Sequence, residues 1–190
     1  MTGFRAETDL ERAILADPRW QAGARWGRPR PGHPEGEVGA HVGEVLANLD
    51  RLGLDPAARR KLRLVALVHD TFKREVDGSR PHGEGDHAVV ARRFAEGYTD
   101  DEDVLEIVEL HDEAYRAWRT GRRSGDWSRA EARAVRLLER LGPRRDLYLA
   151  FYRADNAAGD KLAEPLAWFE SLVRRGSPGP GAGARPGDRA

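Results

Sequence analysis

The chain of 190 residues contains no cysteine, which excludes disulfide frameworks, thiolate zinc sites, iron–sulfur clusters and a cysteine nucleophile. Any metal must be held by His, Asp and Glu. No stretch approaches the roughly 20 apolar residues of a membrane helix, and the N-terminus MTGFRAETDLERAIL carries acids where a signal peptide carries an apolar run. A cytoplasmic protein that does not engage membranes is expected. Net charge is missing too: 32 basic residues cancel 32 acidic ones, which argues against coating of nucleic acid as the main task. Lysine is scarce, since only Lys61, Lys73 and Lys161 interrupt an otherwise all-arginine set of cations. Alternating runs that would mark strands are almost absent, and there is no internal repeat.

What remains is helical pattern. Hydrophobic content of 39% and charged content of 34% suit one soluble domain with a real core. Residues 1–31 read as an N-terminal helix and loop, 32–173 as the domain, and 174–190, rich in Gly, Pro and Arg, as a flexible tail. The Gly/Pro-rich segment 21–37 reads as an ordered loop that Trp20 and Trp26 can pin. Val38, Val42, Val45, Leu46 and Leu49 form one stripe of a helix over 38–52. Asp55 and Pro56 open a helix that becomes nearly all apolar up to Val68. Further helices are predicted over 84–97, from about 101, from a cap at Asp126 or Ser128 to 141 with Val135, Leu137 and Leu138 inward, and over 145–173. The last carries Leu147, Phe151, Leu162, Leu166 and Phe169 and breaks near Gly159 and Pro165. An Arg-rich connection is expected near 120–125. The five tryptophans leave room for an exposed aromatic face on which a homodimer can form.

The informative residues are the polar ones that share these apolar stripes. His41 lies between Val38 and Val45 at helical spacing, His87 precedes Val90 and Phe94, His111 follows Val104 and Ile107, and Asp155 follows Leu147 and Phe151. His69 and Asp70 end the most apolar helix. A single inward histidine is ordinarily a hydrogen-bonded core residue. Four histidines and two aspartates turned inward are costly unless they pair or bind metal, and imidazoles with carboxylates are ligands for first-row divalent ions.

Five segments, HPEGEVGAHVGEVL, LVALVHDTFK, GDHAVVARRF, IVELHDEAYRAW and FYRADNAAGDK, together resemble the HD-domain superfamily of metal-dependent phosphohydrolases. Its mark is a His, an adjacent His-Asp pair and a distant Asp, here His41, His69 with Asp70, and Asp155. The resemblance implies an all-α HD-domain helical bundle of about six to eight helices in a single domain. It implies one ion held by His41, His69, Asp70 and Asp155. The additional His87 and His111 match members that hold a second ion, with Asp70 bridging; the mononuclear version would use the first four residues alone. The ions would be two divalent metals among Mn, Fe, Mg, Co, Ni and Zn.

Asp70 and Lys73 are the catalytic candidates. Lys73 stands where many such phosphohydrolases carry the Lys of HDxxK, placed to meet a phosphate oxygen. Lys161, His33, Glu35, His82 and Arg116 are weaker candidates for substrate contact, with HPEG resembling a turn found before the first His of some HD domains. Arg74, Tyr115 and Arg119 also flank the motifs. The expected partner is a small phosphorylated substrate: a phosphomonoester, a cyclic phosphodiester or a nucleotide. Two alternatives remain, an HD-type mixed-valent diiron oxygenase with the same six ligands and a non-catalytic nucleotide-binding regulatory module.

Overall fold

The computed structural model describes residues 3–76 and 85–176. Two short helices, α1 (Asp9–Ala16) and α2 (Pro18–Ala24), precede eight more: α3 (Val38–Arg51), α4 (Pro56–Val68), α5 (His87–Ala95), α6 (Glu102–Leu110), α7 (Glu113–Ser124), α8 (Trp127–Leu141), α9 (Arg145–Asn156) and α10 (Glu164–Gly176). Short 3-10 turns stand at Lys73–Glu75 and Gly142–Arg144. No strand is present among the described residues, so the chain is the expected all-α bundle, with eight helices from Val38 onward.

Aspartate side chains cap half of these helices. Asp17, Asp55, Asp86, Asp101 and Asp126 each accept hydrogen bonds from amides of the following turn, which satisfies donors that the helix itself leaves open. α4 occupies the middle, against α3, α6 and α9. Its apolar run is buried apart from the partly exposed Leu64, with Leu62, Val65, Ala66 and Leu67 each at 0% exposure. The last turn of the helix is buried all round, so the polar residues that finish it, His69 and Asp70, are delivered into the interior.

Several local expectations are corrected. Residues 21–24 belong to α2 rather than to a loop, because Asp17 caps that helix and Pro18 opens it. Trp20 alone does the pinning there: it is buried and its Nε1 donates to the Leu67 carbonyl at 2.7 Å, whereas Trp26 is exposed. Residues 120–124 finish α7, and only Gly125, at φ 73°, turns the chain. Val135 and Leu162 face solvent; the inward stripe of α8 is Ala130, Ala134, Leu137, Leu138 and Leu141. The helix expected from about 101 is broken at His111 and Asp112. The buried Tyr148 hydroxyl fills that break, donating towards the Leu110 and His111 carbonyls and accepting from the Ala114 amide, each at 3.2 Å. Backbone groups that a continuous helix would pair are thereby satisfied. No helix among the described residues is long and apolar enough to cross a membrane.

Candidate metal centre

Helix ends build the site. His41 lies in the first turn of α3, His69 and Asp70 close α4, His87 opens α5, His111 closes α6 and Asp155 lies at the end of α9. The four histidines and Asp70 are buried, and the Asp155 side chain is 16% exposed.

Each histidine turns Nδ1 towards an acceptor and Nε2 towards a common centre. His69 Nδ1 donates to the Ala66 carbonyl at 3.0 Å, and His111 Nδ1 to the Val108 carbonyl at 2.8 Å. His41 Nδ1 lies 3.2 Å from Glu35 Oε1 and His87 Nδ1 3.3 Å from Asp86 Oδ1. Backbone carbonyls can only accept, so in the neutral rings of His69 and His111 the proton belongs on Nδ1 and the lone pair on Nε2.

These Nε2 atoms meet in two pairs, His41 with His69 at 3.3 Å and His87 with His111 at 3.2 Å. Asp70 stands between the pairs. Its Oδ1 lies 3.2 Å from His111 Nε2 and 3.5 Å from His87 Nε2, while its Oδ2 lies 3.6 Å from His69 Nε2 and 3.8 Å from His41 Nε2. Asp155 Oδ1 joins the first pair, 3.0 Å from His41 Nε2 and 3.6 Å from His69 Nε2. Lone pairs facing one another at this range repel unless a positive charge lies between them. Ligand atoms about 2.0–2.2 Å from one ion sit about this far from each other, so the donor set fits divalent cations. The trios His41, His69, Asp70 and Asp70, His87, His111 each can hold one.

The electrostatics agree. Burial pushes the Asp70 carboxyl up, but Lys73, His69 and the other histidines outweigh it and hold the group well below 3.8. Asp155 is likewise depressed against its burial, by Lys161, His41 and His69. Burial opposes charge on His41 and His111, yet the facing carboxylates raise both above 6.5, while His69 is lowered by its burial. The carboxylates thus draw positive charge towards the centre by whatever carrier is at hand.

Lys73 and the weaker candidates divide. Lys73 Nζ lies 2.5 Å from Asp70 Oδ2 and Lys161 Nζ 2.8 Å from Asp155 Oδ1, so both join the cluster. The Glu35 side chain is covered, its Oε1 also 2.9 Å from His33 Nδ1, and the His41 and His33 imidazoles hold its carboxyl at about 2 against the effect of burial. The HPEG turn that carries it docks against the end of α9, where Gly159, at φ 64°, leaves no room for a Cβ beside the Gly32 carbonyl. Arg116 is buried and forms a two-pronged pair with Asp86, behind His87 and out of the cluster itself. His82 lies outside the described residues.

One residue the sequence reading passed over is Asp112. It lies 3.7 Å from His87 Nε2 and 3.8 Å from His111 Nε2, with its carboxyl at about 2 because His111, Lys73 and His87 outweigh its burial. The signal was present: His111–Asp112 repeats the dipeptide of His69–Asp70.

An all-α bundle whose buried helix ends converge on a His/Asp cluster able to hold divalent ions defines the class. Comparison with protein families matches the HD domain over residues 38–144, more than half of the chain. The protein therefore belongs to the HD-domain superfamily. No curated protein and no solved structure matches the chain.

Proposed function

We propose that the protein is a metal-dependent phosphohydrolase acting on a small phosphorylated molecule: a phosphomonoester, a cyclic phosphodiester or a nucleotide. The observation that carries this reading is that two of the chain's three lysines lie against the two carboxylates on which the histidines converge. One ion would be held by His41, His69, Asp70 and Asp155, and a second by His87 and His111, with Asp70 shared through its two oxygens. Such ions, when bound, activate water and draw charge from phosphoryl oxygens during in-line displacement.

The chain's own residues do the rest. Asp70 divides its oxygens between the two histidine pairs and so sets their spacing. Glu35 and Asp86 place a carboxylate beside Nδ1 of His41 and of His87, which favours a proton there and a free Nε2 when an ion is bound. Lys73, whose side chain is 22% exposed, offers an ammonium at the rim of the cluster. There it can meet a phosphoryl oxygen through a charge-assisted hydrogen bond, and Lys161 offers the same at Asp155. The same six donors suit a diiron centre that oxidises C–H bonds. An ammonium at each carboxylate favours a phosphorylated substrate over that chemistry.

Elemental analysis of the purified protein, combined with a broad phosphoester screen, tests the reading. The expected result is about two equivalents of divalent metal and a hydrolytic activity that Asp70→Ala removes together with the metal. Lys73→Ala is expected to lower kcat/KM by roughly 10²-fold while metal content stays. Full activity and metal occupancy in Asp70→Ala would sink the proposal, as would a mixed-valent diiron spectrum without any phosphatase activity.

A further inference from the structure

We infer that a second ligand site, built for a small polyphosphate anion, lies in the groove between α7 and α8. On α7, Arg116, Arg119, Thr120 and Arg123 recur at steps that place them on one side of the helix. On α8, Arg129, Arg133, Arg136 and Arg140 recur at steps of four, three and four. Arg116 and Thr120 of the first stripe and all of the second line a single depression of about 510 Å³. An adjoining recess of about 150 Å³ shares Arg116, Thr120 and Arg133 and adds Arg119 and Arg123. No residue of the His/Asp cluster lines either space.

The charge there is not balanced by the protein. The two spaces present seven guanidiniums to three carboxylates, those of Asp86, Glu109 and Glu113, in a chain whose net charge is zero. Like charges one helical turn apart repel. The carboxylates relieve part of this: Glu113 accepts from Arg133 at 2.8 Å, Glu109 from Arg140 at 2.7 Å, and Asp86 pairs with Arg116. Arg119, Arg123, Arg129 and Arg136 have no carboxylate within 4.0 Å among the described residues. Arg119 instead lies over the Tyr115 ring, 5.6 Å from its centroid, which leaves its N–H edge open.

Guanidinium forks match phosphate oxygens two at a time. Four unpaired forks on two facing helices exceed what one phosphate group can engage, so the ligand carries several. The larger space has the size of a small-molecule pocket, about 300–1,000 Å³. A concave site of that volume suits a compact polyphosphate compound rather than a continuous nucleic-acid strand.

Calorimetric titration of the metal-stripped full chain with inorganic tripolyphosphate tests the site. Expected is saturable one-to-one binding that weakens as salt rises and is unchanged in Asp70→Asn. The double variants Arg129→Gln/Arg136→Gln and Arg119→Gln/Arg123→Gln, checked for native circular dichroism, should each bind at least about tenfold more weakly. The inference is overturned if tripolyphosphate does not bind, if both double variants bind as the parent does, or if Asp70→Asn loses the binding. A single-stranded oligonucleotide that binds where tripolyphosphate does not would also overturn it.

Discussion

An imidazole can serve a cation only through a free lone pair, and in this cluster the choice of nitrogen is made by groups outside it. Ala66 and Val108 supply backbone carbonyls to His69 and His111. Glu35 and Asp86 supply carboxylates to His41 and His87. Partners of this kind orient a ligand and raise its basicity, and their loss typically weakens metal binding about 10–100-fold. Glu35→Ala is therefore expected to lower metal affinity by about that factor while helicity is retained, as read by metal titration beside far-UV circular dichroism. Unchanged affinity would remove Glu35 from the account. The clustering of the candidate ligands was legible in the sequence because they share or end stripes of apolar neighbours. Asp86 as the support of His87 was not, since only the fold shows that it faces the Nδ1 of the next residue while pairing with Arg116 from another helix.

At the level of elements, α4 and what holds it govern the site. Its last turn is gripped from outside by α2: Trp20 bonds the Leu67 carbonyl, and Gly23 lies so close to the Thr71 carbonyl that a Cβ would approach to 1.9 Å. Asp17 starts α2 by accepting from the Arg19 and Trp20 amides, and it also accepts from the Tyr98 hydroxyl at 2.8 Å. Burial pushes the Asp17 carboxyl up, but the Tyr98 and amide hydrogen bonds outweigh it and the group ends below 3.8. A depressed folded pKa means stability that is present above 3.8 and lost as pH falls through the lower folded value. Asp17→Ala is expected to reduce unfolding free energy by about 1 kcal/mol at neutral pH. That difference from the parent should shrink between pH ~5 and ~2, as urea melts at a series of pH values will show.

A second tie joins α1 to α4. Glu11 and Arg63 are both buried and paired at 2.7 Å, and Arg63 also reaches Glu7 and the Arg5 carbonyl. Glu11→Ala leaves a guanidinium in the interior short of its main partner and should cost about 3–5 kcal/mol. Glu11→Leu/Arg63→Met should recover most of that in the same denaturation experiment, because an apolar pair of similar volume needs no countercharge. Neither tie was visible in the helical periodicity, which marks Arg63 only as a polar residue within an apolar run.

For the whole molecule, a cluster of this kind ties the proposed metal binding to folding. Six candidate ligand side chains come from five helices and are brought together only by the folded bundle, so an ion held there in the native state would stabilise it by mass action. At free metal about a hundredfold above Kd the gain is about 2.7 kcal/mol, which for a chain of this size raises Tm by roughly 5–10 °C. Differential scanning fluorimetry with added Mn²⁺ and with chelator should show that shift in the parent and none in Asp70→Asn. Equal shifts in the two proteins would place the ion elsewhere.

The sequence by itself determined the class of fold, the absence of any thiolate chemistry and the inward turn of four histidines with Asp70 and Asp155. Those depend on composition and on the 3.6-residue period, both local properties of the chain. Only the tertiary structure decided that Asp70 faces one histidine pair with each oxygen, that Lys73 and Lys161 stand against the two carboxylates, and that Arg116 belongs to Asp86. Nor could the period place the break at His111, because the group that fills it, the Tyr148 hydroxyl, arrives from α9. Distances between residues far apart in the chain are set by how the helices pack, and no local pattern encodes them.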